Sequence, residues 1–278
     1  MSRRTCAVGH VAFGAEAAIV RGFIRFGLRG HATAPEALRL KHYIVLRLKK
    51  LLWAITRPHG RRALRSGVAA SLEHLHLAPL MVPAMVIDVG ANRGQFALLS
   101  FALWPRAQVV AFEPLETPFR ILCNVTTGLP VRAFRAAISS DAGVATMNVA
   151  ASDDSSSLLP IGAAQRIEFG TRVVGSEVVS RALLGEFLAP ADIIQPALLK
   201  IDVQGTELNV LKGCVEVLAK LSWVYVECSF VELYEGQVRA SEVIEFLSNH
   251  GFHLIGVFNQ TLGRHQRPLQ ADMLFAAR

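Results

Sequence analysis

From Met85 onward, short apolar runs alternate with stretches in which apolar residues recur every three or four positions. Such runs read as buried strands and the stretches between them as amphipathic helices, the pattern of parallel strands joined by right-handed crossovers. Strands are expected at Met85–Val89, Val109–Glu113, Val131–Ala137, Ala197–Asp202, Trp223–Cys228, Phe252–Phe258 and Met273–Ala277. Helices are expected at Gly94–Leu103, Leu115–Thr127, Glu207–Leu218 and Ala240–His250. Thr146 to Pro190 fit the alternation poorly and read as a Ser- and Gly-rich insertion between the third and fourth core strands, a length of connection that is often functional.

Upstream, Pro35 to Thr56 places Leu38, Val45, Leu48, Leu52 and Ile55 at helical spacing, with Arg39, Lys41, Arg47, Lys49 and Lys50 between them. This reads as a basic amphipathic helix. A second helical stretch, Arg61 to Leu77, ends before Pro79 and Pro83, and Gly14 to Leu28 is a weaker candidate. The chain therefore divides into a basic helical extension, residues 1–80, and an α/β domain, residues 81–278.

Composition sharpens that division. The 278 residues are 52% hydrophobic and 18% charged, enough to build a large core. Of the 29 Lys and Arg residues behind the net charge of +7, 14 fall in residues 1–65, against only Glu16 and Glu36, so the excess positive charge belongs to the extension. The basic helix suits a cap packed on the domain or on a second subunit, or contact with an anionic membrane surface; nucleic acid is the least favoured partner. Arg and Lys interrupt every apolar stretch before it could span a membrane, and Arg21, Arg25 and Arg29 break up what would be a signal peptide. Cys6, Cys123, Cys214 and Cys228 are widely spaced and read as reduced thiols, which makes the cytoplasm the expected location.

The candidate chemistry begins where the first strand, Val86-Ile87-Asp88-Val89, runs into Gly90-Ala91-Asn92-Arg93-Gly94 and a helix. Such a strand-turn-helix offers backbone N–H groups at the carboxyl edge of a sheet. Gly90 is expected to let a ligand approach the backbone, Gly94 to let the helix close on the strand, and Asp88 to accept from a cationic amino group. About twenty residues on, the second strand ends in Phe112-Glu113-Pro114, where a carboxylate can accept from both hydroxyls of a ribose. Asn92 stands where a dinucleotide-binding GxGxxG would have its middle glycine. That departure favours S-adenosylmethionine, which has no pyrophosphate, over a nicotinamide cofactor.

Four segments then resemble the FkbM-type methyltransferases: Val86–Gly94, Val110–Pro114, Leu198-Leu199-Lys200-Ile201-Asp202-Val203-Gln204-Gly205-Thr206-Glu207, and Val226-Glu227-Cys228-Ser229-Phe230 with Tyr234-Glu235-Gly236-Gln237. A Ser-rich element before Leu158 and Leu159 also fits, so the resemblance covers about residues 85 to 278. It implies a Rossmann-like class I methyltransferase fold, a seven-stranded, mostly parallel sheet with an antiparallel last strand. It further implies S-adenosylmethionine bound around Asp88, Gly90, Asn92, Gly94 and Glu113, and transfer mostly to hydroxyl oxygens.

A hydroxyl is a poor nucleophile at neutral pH, so the acceptor side needs a base or a metal, and both call for carboxylates at the carboxyl edge of the sheet. Asp202 and Glu227 end the fourth and fifth strands and are the candidate catalytic residues. The plain alternative for Asp202 is a cap on the turn near Gly205. Oxygen ligands would suit Mg²⁺, but two carboxylates make an incomplete site and no metal is assigned. Asp153 and Asp154 are candidates to close over the site, whereas His250 and His253 read as structural. The expected acceptor is a small molecule, a sugar or a glycolipid. Two other readings stay open: a NAD(P)-dependent oxidoreductase, and a membrane- or RNA-associated binding protein with a vestigial methyltransferase fold.

Overall fold

The computed structural model describes the backbone of residues 34–278, with side chains from residue 44 onward except residue 265. The helical candidate at Gly14–Leu28, like Cys6, lies outside the described residues. Residues 49–278 form one compact unit; what is described of residues 1–48 is the first part of a single helix.

In chain order the elements are α1 (Ala34–Thr56), α2 (Pro58–Arg65), β1 (Met85–Val89), α3 (Gln95–Leu103), β2 (Gln108–Phe112), α4 (Glu116–Val125), β3 (Val131–Phe134), β4 (Ala137–Ile138) and β5 (Gly143–Ala150). There follow α5 (Ala163–Phe169), β6 (Val173–Ala182), β7 (Ala197–Ile201), α6 (Glu207–Gly213), α7 (Val215–Leu218), β8 (Trp223–Ser229), α8 (Ala240–Asn249), β9 (Phe252–Leu262) and β10 (Pro268–Ala277). The main sheet has seven strands in the order β3-β2-β1-β7-β8-β10-β9, with β10 antiparallel to both neighbours and the other pairings parallel. This is the Rossmann-like class I methyltransferase sheet that the resemblance implied.

β1 and β7 are buried at every residue, as strands covered by helices on both faces must be. The larger core joins Ile87, Phe112, Leu199, Val226 and Phe275 of the sheet to Val210 and Leu211 of α6 and Val243 and Leu247 of α8. The chain leaves β1 for β2 and β3 on one side, then returns to β7 on the other, so the order reverses between β1 and β7. Ligands of open α/β sheets bind in the crevice at such a point.

The two strand ends meet closely there. A Cβ on Gly90 (φ +82°) would lie 1.8 Å from the carbonyl oxygen of Asp202, so this glycine makes room for the neighbouring strand end. The strand junction by itself therefore requires a glycine here. Gly94 (φ +90°) likewise closes on α4, where a Cβ would meet Leu122 Cδ1 at 2.9 Å, and not on the strand.

Four other expectations change. The strand read as Val131–Ala137 breaks at Arg135-Ala136, and its last part, β4, pairs with β6 in a separate three-stranded sheet, β4-β6-β5. Two strands of that small sheet, β5 and β6, run through the stretch read as an insertion, with α5 between them. Its inner face packs Met147 and Val179 on Leu115 and Ala137, but Val144, Val173, Val174 and Val178 stay exposed, which blurs the alternation that reveals a half-buried strand. The helix read as Arg61–Leu77 ends at Arg65, because Gly67 (φ +68°) turns the chain into a short 3₁₀ segment, Leu72–Leu77. The helix read as Glu207–Leu218 breaks at Cys214, where a Cβ on the adjoining Gly213 would lie 2.0 Å from Ser139 O.

Replacing Gly90 by Ala is expected to destabilise the protein in urea by more than the ~1–2 kcal/mol that a left-handed φ costs by itself. Gly128→Ala, at φ +79° with open space around it, is expected to cost only that amount. Equal losses in the two variants would show that the β1–β7 junction yields readily.

Candidate functional site

The turn after β1 uses its own N–H groups inward. Gly90 N and Ala91 N both donate to Phe112 O, at 3.0 and 2.9 Å, and Gly94 N donates to Ala91 O at 2.8 Å. Asn92, at φ 47°, donates its N–H to Glu113 Oε2 at 2.9 Å. The sequence suggested open N–H groups at this edge; four of the turn's five are satisfied within the protein. A pyrophosphate would need those donors, whereas a ligand without one does not.

Glu113 follows β2 and is buried, with Oε1 accepting from Leu115 N at 2.9 Å. Burial pushes its carboxyl up to about 7 despite the two backbone bonds, which favour ionisation. It lines a cleft of about 630 Å³, open to solvent, together with Gly90, Asn92, Leu115, Ala137, Met147 and Asp202. Asn92 Oδ1 is buried beside this cleft and has no hydrogen-bond partner. The β3–β4 connection and the small sheet therefore supply the apolar wall, and the ends of β1, β2 and β7 supply the polar one.

Asp88 does not line the cleft. It is fully buried beneath it, with Lys200 Nζ 3.1 Å from Oδ1 as an ion pair lacking aligned hydrogen bonds. The same ammonium donates to Gly90 O at 3.2 Å and lies 3.6 Å from Asp202 Oδ2. Burial opposes the Lys200 charge, but Asp88 and Asp202 outweigh it and keep the amine protonated. The amino-group partner expected for Asp88 is thus already present as Lys200.

Asp202 extends the ladder by donating its N–H to Val89 O at 3.0 Å, and its side chain, 39% exposed, faces the cleft. It is not the cap of the following turn. Glu207 takes that role, accepting from Gly205 N at 2.7 Å, and burial pushes its carboxyl up to about 7. Glu227 lies one strand over and behind the cleft surface, with Oε2 accepting from Gln204 Nε2 at 2.9 Å and Oε1 from Gln270 Nε2 at 2.6 Å. Burial, then the Asp202, Asp272 and Glu207 charges, push its carboxyl well above the usual range.

The structure thus brings Gly90, Asn92, Glu113 and Asp202 to one cleft, puts Gly94 and Asp88 beneath it, and places Glu227 behind Asp202. Asp153 and Asp154 also line the cleft, and Arg93 Nε donates to Asp153 Oδ2 at 2.7 Å, fastening the insertion to the turn. Three functional candidates escaped the sequence: Lys200, Gln204 and Tyr234. All lie within the quoted motifs, but only folded geometry shows what they touch. His250 Nδ1 donates to Phe246 O at 2.7 Å, a local structural bond. Among the described residues no group of three or more His, Cys, Asp or Glu is placed to hold a metal ion.

A reversed-order sheet with an acidic residue after β2 and a turn without a pyrophosphate cradle defines an S-adenosylmethionine-dependent methyltransferase of class I. Residues 88–254 match the methyltransferase FkbM domain, and the chain belongs to that family. It is 28% identical over 183 residues to the 2-O-methyltransferase NoeI of Sinorhizobium fredii, covering 63% of this chain and 74% of that one. It is 28% identical over 194 residues to the 31-O-demethyl-FK506 methyltransferase FkbM of Streptomyces tacrolimicus, covering 62% and 73%. With the hexuronic acid methyltransferase AglP of Haloferax volcanii it shares 31% identity over 142 residues, covering 50% and 54%.

The raised carboxyls make the stability of the free protein pH-dependent. A carboxyl whose folded pKa exceeds its unfolded one binds its proton more tightly when folded, so its contribution is full in acid and is lost as pH rises through about 7. Urea denaturation at pH 5 and pH 8 is expected to show this fall, reduced in Glu113→Gln by up to about 3 kcal/mol. An identical fall in that variant would refute the elevated Glu113 carboxyl.

Proposed function

We propose that this methyltransferase transfers a methyl group to a hydroxyl oxygen on a sugar, a glycolipid or a secondary metabolite. One observation carries the reading: a single cleft holds a buried carboxylate that can grip a ribose, Glu113, and an exposed one free to take a proton, Asp202. The names of NoeI and FkbM specify O-methylation of their own acceptors, and that of AglP a sugar acid.

When bound, S-adenosylmethionine supplies a methyl group on a cationic sulfur, open to in-line displacement by an oxygen. Each oxygen of Glu113 keeps a lone pair for a ribose hydroxyl, since each accepts only one backbone bond. The unpartnered Asn92 Oδ1 offers a second acceptor, and Leu115, Ala137 and Met147 offer an apolar face to a purine. Gly90 shapes the turn and borders the cleft, Gly94 lets α3 close on α4, and Asp88 works from below by anchoring Lys200. Asp202 would take the proton of the acceptor hydroxyl, with Glu227 supporting it from behind. The charged side chains lining the cleft, Glu113, Asp153, Asp154 and Asp202, are all acidic, which suits an uncharged hydroxyl acceptor better than an anionic one.

Calorimetric titration with S-adenosylmethionine is expected to show binding that weakens below pH 7, as Glu113 protonates, and that falls at least tenfold in Glu113→Ala. Asp202→Asn is expected to retain donor binding while losing about 10²–10⁴-fold in kcat with a neutral glycoside acceptor. Unchanged donor binding in Glu113→Ala, or full activity in Asp202→Asn, would overturn the respective role.

We also propose that α1 rests on an anionic membrane surface. Among the described residues no helix is long and apolar enough to cross a membrane. α1 nevertheless has two apolar sides: Trp53 and Ala54 are buried, while Ile44, Val45, Leu48, Leu51, Leu52 and Ile55 fall on one arc of the helix and are each 47–58% exposed. Lys49, Arg57, Arg61 and Arg65 are exposed beside or just after it, a combination that favours anionic headgroups by about 1 kcal/mol per basic residue. Co-sedimentation is expected with phosphatidylglycerol vesicles but not with phosphatidylcholine vesicles, and it should be lost in Leu52→Asp. Binding to neither vesicle would exclude this contact.

A further inference from the structure

We infer that Gln204 is a positioning residue whose side-chain amide ties Asp202 and Glu227 into one unit, with Tyr234 fixing the direction in which that amide points. The inference rests on the reading of Asp202 as the group that takes the acceptor's proton.

Gln204 sits in the turn after β7 at φ 56°, a left-handed conformation that most side chains avoid. The insertion holds its backbone, Ser157 Oγ donating to Gln204 O at 2.5 Å. From that position Nε2 reaches Asp202 Oδ1 at 2.8 Å and Glu227 Oε2 at 2.9 Å, one N–H for each carboxylate. An ionised carboxylate only accepts, so whichever member of the pair is ionised calls for the amide nitrogen on its side. The opposite end agrees: Tyr234 OH lies 3.0 Å from Oε1, where a hydroxyl can donate and an NH₂ group would compete for the same role. Tyr234 is itself buried; its one hydroxyl proton is shared between Gln204 Oε1 and Ser155 O, each at 3.0 Å, while its oxygen accepts from Gln165 Nε2 at 3.3 Å.

Two carboxylates at neighbouring strand ends repel one another, and that repulsion drives one of them to stay protonated. Both N–H groups of a single amide favour the ionised forms and hold the oxygens in place. The other charges facing the pair are Lys200 from β7, Glu207 at the start of α6 and Asp272 from β10. Only Lys200 among them is cationic, and it is already paired with Asp88. Gln204 is therefore the donor shared by both members of the pair. Losing it should make Glu227 harder to ionise and leave Asp202 Oδ1 unheld, so activity that depends on the linked pair should begin at higher pH.

Gln204→Asn keeps a residue type that tolerates the left-handed turn but shortens the amide by one methylene, too short to reach both carboxylates. Gln204→Glu keeps the length and replaces the donor by an acceptor, and Tyr234→Phe leaves Gln204 intact but frees its orientation. Side-chain carboxyl NMR titration of the free protein is expected to show the Glu227 transition at higher pH in Gln204→Asn, more so in Gln204→Glu and less in Tyr234→Phe. With donor and a neutral glycoside, kcat should fall about 10–100-fold in Gln204→Asn with its acid limb shifted upward. The affinity for S-adenosylmethionine should stay within about threefold of wild type, as measured by calorimetry. Unchanged titrations in both Gln204 variants would overturn the proposal. So would parallel losses of donor affinity and kcat, which indicate only a damaged turn. If wild type itself binds no donor, the proposed function fails while the NMR titrations still decide whether the amide couples the two carboxyls.

Discussion

The buried ammonium of Lys200 is the interaction on which the site's construction depends. It lies under the cleft between β1 and β7, within 3.1 Å of Asp88 Oδ1, 3.2 Å of Gly90 O and 3.6 Å of Asp202 Oδ2. A charge so placed is costly unless paired, and an Asp88 without it would be an uncompensated buried carboxylate. The pair therefore fixes how the two central strand ends meet. Gly90 allows the approach, since any side chain there would collide with the Asp202 carbonyl.

From that junction the cleft divides into two chemistries. On the β2 side, Glu113 serves two purposes at once, clamping the turn through Asn92 N and Leu115 N while presenting its remaining lone pairs to the cleft. On the β8 side, Asp202, Gln204 and Glu227 form a linked group in which Asp202 and Gln204 line the cleft and Glu227 does not. The small sheet lines the first side through Met147, and Ser157, in the segment between β5 and α5, braces the second, so one stretch of chain touches both halves. The basic charge of the chain is concentrated in its first 65 residues and does not enter this picture.

Much of the fold was legible because β1 and β7 are short, largely aliphatic runs buried on both faces, a pattern with few alternatives. The small sheet was not, because β5 and β6 expose valines on their outer face while burying others, and apolar residues on both faces erase the period of two. The breaks at Arg135-Ala136 and at Cys214 were equally hidden, since each answers to a distant partner, β6 in one case and Ser139 in the other. At the site, the turn glycines were legible, but not the collisions they avoid, because each involves a residue far along the chain.

The sequence by itself determined the succession of the seven main-sheet strands, the turn after β1, the acidic residue after β2 and the carboxylates that end the fourth and fifth of those strands. Local periodicity and turn chemistry are properties of neighbours along the chain, so they survive in one dimension. Only the tertiary structure decided that Asp88 faces Lys200 and lies outside the cleft, that Glu207 caps the turn and leaves Asp202 exposed, and that one glutamine amide spans two strand ends. Each of these is a competition for a hydrogen bond or a charge among residues brought together across the sheet, and its winner is set by distances that exist only once the strands have paired.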